Sequence, residues 1–135
     1  MRVVDVIASA LPAGRVVTAE ADRRAHAHDY WALEAIHDLG GTPADPPPAV
    51  VYPESTSEVA TVLDIAQQHR APIVPFGLGS GVCGGVRPGR DALVVDLSRM
   101  NRMVEVRPET LIAVAQAGMN GGECERRVRE DHDYP

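Results

Sequence analysis

The sequence predicts an α+β chain, with an α/β first part built on a small parallel sheet and the start of a second, mainly antiparallel subdomain. Three observations carry this. Between residues 49 and 74 an apolar run, an amphipathic helical stretch and a second apolar run follow one another, as in a βαβ unit. Glycines crowd the segment after the second run, at Gly77, Gly79, Gly81, Gly84 and Gly85. Two strand-like runs then flank Pro108-Glu109-Thr110, a combination that suits a hairpin turn.

Residues 1–20 read as a short helix or a loosely held arm. Val3, Val4, Val6 and Ile7 are apolar, and Leu11-Pro12-Ala13-Gly14 breaks the run. Residues 22–39 read as one helix, with Tyr30, Leu33, Ala35, Ile36 and Leu39 on an imperfect apolar face and Gly40-Gly41 as its stop. His26, His28 and Asp29 lie close together, as metal ligands do. Histidines at i and i+2 diverge by about 200° on a helix, so a solvated polar face is expected and no metal site. Pro43, Pro46, Pro47 and Pro48 make residues 42–48 an extended linker. The expected division is a helical arm with its Pro-rich linker over 1–45, and an ordered unit over 46–135.

Ala49-Val50-Val51-Tyr52 is the first predicted strand, stopped by Pro53. Ser55 and Glu58 then form a capping-box pattern. Val59, Val62, Leu63 and Ala66 mark one helical face, ending near Arg70, whose charge suits the helix dipole. Ile73-Val74 is the next strand, expected parallel to the first with a right-handed crossover. Residues 92–97 are a third strand, 98–102 a turn, and 103–107 and 111–117 the hairpin strands. Residues 120–130 make a poor helix, with only Cys124 and Val128 as apolar support, and 130–135 show no packing pattern.

The glycine stretch, residues 74–86, reads VPFGLGSGVCGGV. Glycine lets a ligand approach the backbone, and successive N–H groups can converge into an anion-binding nest. Ser80 adds a hydroxyl, and no charged side chain is present, so a phosphate would be held mainly by main-chain donors. The GxGxxG match at 79–84 lacks the helix that a dinucleotide-binding turn opens, because Pro88-Gly89 follow at once. A Walker A loop is excluded, since the chain has no lysine. The loop joins strand to strand at the carboxyl end of a parallel strand, where open α/β sheets bind ligands. A glycine-rich connection without a ligand is the plain alternative.

The chain has 135 residues and a net charge of −6, which argues against nucleic acid or an anionic membrane as partner. No apolar run is long enough to span a membrane. Asp5, Pro12 and Gly14 interrupt any secretory-type apolar region, and two cysteines make no disulfide framework, so the cytoplasm is the expected location.

Residues 48–118 resemble the N-terminal part of the FAD-linked oxidase family, the PCMH-type or vanillyl-alcohol-oxidase-like flavoproteins. Four landmarks occur in order: PAVVYP at 48–53; SEV at 57–59; APIVPFGLGS at 71–80 with Gly84-Gly85; and DLSRMN at 96–101 with AQAG at 115–118. The wording SGVCGG, with Asp29-Tyr30-Trp31 upstream, looks closest to bacterial relatives of alkyl-dihydroxyacetone-phosphate synthase and of D-lactate or glycolate dehydrogenase. The resemblance implies the PCMH-type FAD-binding fold, with FAD as ligand. Its diphosphate would be held by Pro75, Phe76, Gly77, Leu78, Gly79 and Ser80, and near Gly84 and Gly85. No histidine stands in this loop, so the flavin would not be tethered there. Cys83 is expected as a small buried filler. Asp96 and Arg99 are expected as a strand-end charge and a solvated turn residue.

The family continues beyond the place that Tyr134-Pro135 resembles, and its substrate-binding and catalytic parts would lie there. No acid, base or nucleophile is assigned within the chain, and whether it acts alone as an enzyme stays open. One expectation is an FAD-anchoring segment of an oxidoreductase acting on a hydroxylated, 2-hydroxy-acid-like substrate, or of an alkyl-dihydroxyacetone-phosphate synthase-like enzyme. The other is a truncated, non-catalytic fragment, or a split chain whose partner is a second chain completing the flavin domain. A small nucleotide-binding module comes third.

Overall fold

The computed structural model describes residues 2–132; the expectation for 133–135 lies outside the described residues. The elements are α1 (Val3–Ala10), β1 (Val16–Val17), α2 (Glu20–Ala25), α3 (Ala32–Leu39), β2 (Val50–Val51), α4 (Thr56–His69), β3 (Ile73–Phe76), β4 (Leu93–Asp96), β5 (Met103–Arg107), β6 (Ile112–Ala115) and α5 (Gly121–His132). The first sheet has the order β1-β2-β4-β3, and β5 pairs with β6 as a separate antiparallel hairpin. β2 and β3 both run parallel to β4, which lies between them. The predicted βαβ unit is present, but its two strands are not neighbours.

The core lies on one face of the sheet. Val4, Ile7 and Leu11, from α1 and the residue after it, pack with Ala49, Val51, Val62, Leu93 and Val95. The short helix foreseen for the N-terminal stretch therefore forms, and it is packed against α4 rather than held loosely. Arg15 fastens the same region. Its guanidinium donates to both carboxylate oxygens of Glu54, at 2.7 and 2.6 Å, and to Glu58 at 2.9 Å.

Helix α4 starts as its sequence indicates, with Ser55 Oγ accepting from the Glu58 N–H at 3.2 Å. The reciprocal bond departs from a capping box: Glu58 reaches back to the Glu54 N–H, one residue earlier than the cap (2.8 Å). Arg70 ends the helix in the left-handed region, at φ 54°, and the Ala71 N–H returns to the Ala66 carbonyl at 2.9 Å. The buried face differs slightly from the expected one: Val62 and Ala66 are buried and Ile65 joins the core, while Leu63 is half exposed.

The expected helix over 22–39 is two helices, α2 and α3, broken at His26–Trp31. Its polar face is not solvated either, because His26 and Asp29 are buried. Both have long-range partners, and holding them requires the chain to leave the helix. The apolar face of α3 is reversed as well. Ile36 and Leu39 point outward, Leu33 is partly exposed, and the residue that α3 buries is Glu34.

By strand alternation Val94 and Asp96 point away from the α1–α4 core. His26 meets Asp96 on that second face. Its Nδ1 lies 2.6 Å from the Asp22 carbonyl oxygen and its Nε2 2.7 Å from Asp96 Oδ2, while Asp96 Oδ1 accepts from the Ser98 N–H at 2.7 Å. Asp96 is thus no simple strand-end charge. A carbonyl only accepts, so Nδ1 carries a proton; the twice-accepting carboxylate favours a second proton on Nε2. Burial pushes the imidazole down, but the bonds to Asp96 and Asp22 outweigh it and leave His26 above its ordinary value. Burial pushes the Asp96 carboxyl up, and the His26 and Ser98 donors more than reverse it. Asp22 also faces His26 with its charge, and Arg99 lies over the neighbouring Tyr52 ring. Burial, then the Asp96 and Asp22 charges, push the Tyr52 hydroxyl up to about 12.

The hairpin forms as predicted, with an irregular register between Met103 and Glu105. It meets the first sheet at Gly118, where a Cβ would lie 1.7 Å from the Leu97 carbonyl oxygen and the N–H donates to Met100 (2.9 Å). The stretch read as a poor helix forms α5. Asn120 Oδ1 caps it, accepting from Gly122 and Glu123 N–H groups at 2.9 and 3.3 Å. Glu123 pairs with Arg126 and Arg127, Glu125 with Arg129, and Arg126 with Glu130. Such pairs support a helix that has little apolar face.

Two stability outcomes follow. Ile7→Ala, at a fully buried site, is expected to cost about 3 kcal/mol in urea unfolding. For the ion pair, the His26 contribution is complete below the unfolded histidine value of about 6.5 and is lost as pH rises through its higher folded value. The Asp96 contribution is complete above about 3.9 and is lost as pH falls through its lower folded value. Asp96→Asn should therefore destabilise by about 3 kcal/mol between those limits, with a gap that narrows at higher pH. Unfolding measured at stepped pH checks this, and a gap that stays constant into alkaline pH contradicts it.

Candidate functional site

Three parallel strands put three carboxyl ends on one edge of the sheet. Tyr52 follows β2, Phe76 ends β3 and Asp96 ends β4. The glycine loop leaves from Phe76 and returns at β4, joining strand to strand. Its first residues are open: Pro75, Leu78 and Ser80 are exposed, and Phe76, Gly77 and Gly79 are partly covered. Among the described residues, the backbone N–H groups from Gly77 to Gly84 engage no acceptor. Successive exposed N–H groups in such a turn can converge into an anion-binding nest.

The ion pair supports the start of this loop. The His26 ring lies 4.4 Å from the Phe76 ring. Phe76 in turn lies under Gly79, whose φ is +66° and where a Cβ would come within 2.6 Å of the ring. Contact therefore runs from Asp96 through His26 and Phe76 to Gly79. A hollow of about 170 Å³ opens beside it, lined by His28, Tyr30, Phe76, Leu78 and Gly79 among others.

The far end of the loop is gripped by residues 29–34. Asp29 Oδ2 accepts from the Gly85 and Val86 N–H groups at 2.9 and 3.4 Å, and its Oδ1 accepts from the Trp31 N–H at 3.0 Å. Gly85, foreseen as a diphosphate donor, thus already has an acceptor, whereas the Gly84 N–H is free. Trp31 packs on Gly84, and Arg87 sits over the indole at 5.8 Å. Arg87 Nε also lies 2.9 Å from Oε1 of the buried Glu34. That contact is a charge pair without hydrogen-bond alignment, and among the described residues neither Glu34 oxygen has an aligned donor.

Other foreseen residues fall outside this arrangement. Cys83 is exposed and free rather than a buried filler, because the loop's second half stands away from the core. Arg99 lies over the Tyr52 ring at 4.9 Å and pairs with Glu54 at 3.3 Å, so it braces the surface near the strand ends. No group of three or more His, Cys, Asp or Glu able to hold a metal occurs among the described residues. No helix there is long and apolar enough to cross a membrane. Sequence reasoning missed Asp29, Trp31 and Glu34 as loop contacts. The signal was the acidic and aromatic cluster at 29–31, whose partners lie more than fifty positions away.

The comparisons with known proteins agree with this fold. A family profile described as the FAD binding domain matches residues 47–134. Glycolate oxidase subunit GlcD of Bacillus subtilis is 41% identical over 93 residues, which cover 67% of this chain and 20% of that protein. Alkyldihydroxyacetonephosphate synthase of Trypanosoma brucei brucei is 33% identical over 88 residues, covering 62% of this chain and 14% of the relative. A probable mitochondrial D-lactate dehydrogenase of Danio rerio is 30% identical over 118 residues, covering 87% and 22%. The chain therefore spans about a fifth or less of the length of these relatives. Among solved structures, an alkyldihydroxyacetonephosphate synthase superposes with a TM-score of 0.85 at 23% identity, covering 96% of this chain and 24% of that one. Substrate-bound p-cresol methylhydroxylase gives 0.77 at 20% identity, with the same coverage, so both show the same fold. With the profile matching most of its length, the chain belongs to the FAD binding domain family, and FAD is its cofactor.

Proposed function

We propose that the chain anchors the FAD diphosphate on its glycine loop. It would do so as the N-terminal segment of an oxidoreductase acting on a 2-hydroxy-acid-like substrate, or of an alkyl-dihydroxyacetone-phosphate synthase-like enzyme. One observation carries the reading: the free N–H groups from Gly77 to Gly84, at the carboxyl edge of the sheet. Such a row suits a diphosphate, which presents several acceptor oxygens and needs no cationic side chain when backbone dipoles converge on it. Pro75 shapes the strand exit, Phe76 to Ser80 with Gly84 line the contact, and Gly85 shapes it through Asp29. Bound FAD would supply the redox chemistry; this chain's residues bind and orient it.

The same proposal includes a polypeptide that completes the flavin domain. Val104, Leu111 and Ile112 on the hairpin, and Ile36 and Leu39 on α3, are exposed apolar side chains. A hollow of about 160 Å³ on the hairpin, lined by Leu111, Ile112 and Val128 among others, adds to that surface. Scattered apolar residues are ordinary, but grouped ones mark contact surfaces, and Leu111 and Ile112 are grouped at this hollow.

Titration of the purified chain with FAD tests the first part. Saturable binding is expected, and Gly79→Val should raise Kd by at least about tenfold, because a β-branched residue at positive φ would strike Phe76. No saturable binding up to high micromolar FAD would overturn binding by this chain alone. Sedimentation tests the second part. The chain alone is expected to self-associate, and Leu111→Ser with Ile112→Thr should reduce that association without changing FAD affinity.

A further inference from the structure

We infer that Asp29 is the residue that sets the glycine loop, closing its far end so that the N–H groups from Gly77 to Gly84 face outward together. This deepens the diphosphate reading and rests on it for the ligand. Asp29 is only 3% exposed, and among the described residues its hydrogen-bond partners are all backbone N–H groups: Trp31 on one oxygen, Gly85 and Val86 on the other. A buried carboxylate without a cation is tolerated only while such donors surround it. The loop must therefore stay closed for Asp29 to stay buried, and Asp29 must stay in place for the loop to stay closed.

Sterics lock the same arrangement. A Cβ on Gly81 would lie 2.7 Å from Asp29 Oδ2, and one on Gly84 would lie 2.7 Å from Trp31 Cε3. The loop backbone thus rests directly on the carboxylate and the indole. Arg87 then bridges Trp31 and Glu34. Asp29 takes the last two donors of the loop for itself and leaves the preceding ones to a ligand. It is a positioning residue, since it acts through the loop backbone.

The test compares the full 135-residue chain with Asp29→Ala, Gly81→Ala and the double variant. ADP and inorganic pyrophosphate are the probes, titrated calorimetrically, and amide exchange is followed residue by residue by NMR. Asp29→Ala should weaken both probes about tenfold, the scale of one charge-assisted hydrogen bond. Gly81→Ala should weaken them too, by crowding the carboxylate. The double variant should be no weaker than Asp29→Ala alone, because the crowding disappears with the carboxylate. Exchange should speed up at Gly85 and Val86 in Asp29→Ala while Val94 in β4 keeps its protection, which separates loop opening from general destabilisation.

Equal or tighter probe binding by Asp29→Ala would make the carboxylate a bystander or a competitor for the donors and overturn the inference. Additive losses in the double variant, or unchanged exchange at Gly85 and Val86, would overturn it as well. If Asp29→Ala does not fold, Gly81→Ala carries the test from the exposed loop side, and unaltered probe binding there overturns the inference. A parent chain that binds none of FAD, ADP and pyrophosphate overturns the diphosphate reading instead. Loop setting by Asp29 is then judged on the exchange at Gly85 and Val86.

Discussion

The buried contact between His26 and Asp96 is the constraint on which the rest of the site depends. It joins the end of α2 to the carboxyl end of the central strand β4, seventy positions apart. It also places an aromatic ring against Phe76, where the glycine loop begins. A buried ion pair adds little net stability against an apolar alternative, but removing one partner is costly. Its contribution here is placement: it brings the N-terminal segment onto the second face of the sheet, where Asp29 and Trp31 can reach the loop.

Each end of the loop is therefore held by a different chemistry. Near Phe76 the support is aromatic packing over an ion pair. Near Gly85 it is a carboxylate bound by backbone donors, with an indole and a charge pair beside it. Between the two ends, the donors have no competing partner among the described residues. A flexible glycine segment becomes a defined surface because residues outside it restrict it, so binding would not have to meet the whole entropic cost of ordering the loop.

Much of this fold was legible in sequence wherever the information was local. Ser55 and the helical spacing of Val62 and Ala66 marked α4, and Pro108-Glu109-Thr110 marked the hairpin. The glycine loop and its position after a strand were legible for the same reason. His26 and Asp29 were not, because a buried polar residue and a solvated one look alike until the partner is known, and their partners are distant. The exposed apolar side of α3 misled in the opposite direction, since periodicity shows a face but not which way it points. Helix α5 was undervalued because its support comes from Glu–Arg pairs and the Asn120 cap rather than from an apolar stripe.

Gly118 has a consequence for how the molecule tolerates change. The hairpin and the first sheet meet there backbone against backbone, with no side chain between them. Any replacement at this one position would push the hairpin away from Leu97, so the close approach of the two backbones makes this single residue intolerant of change.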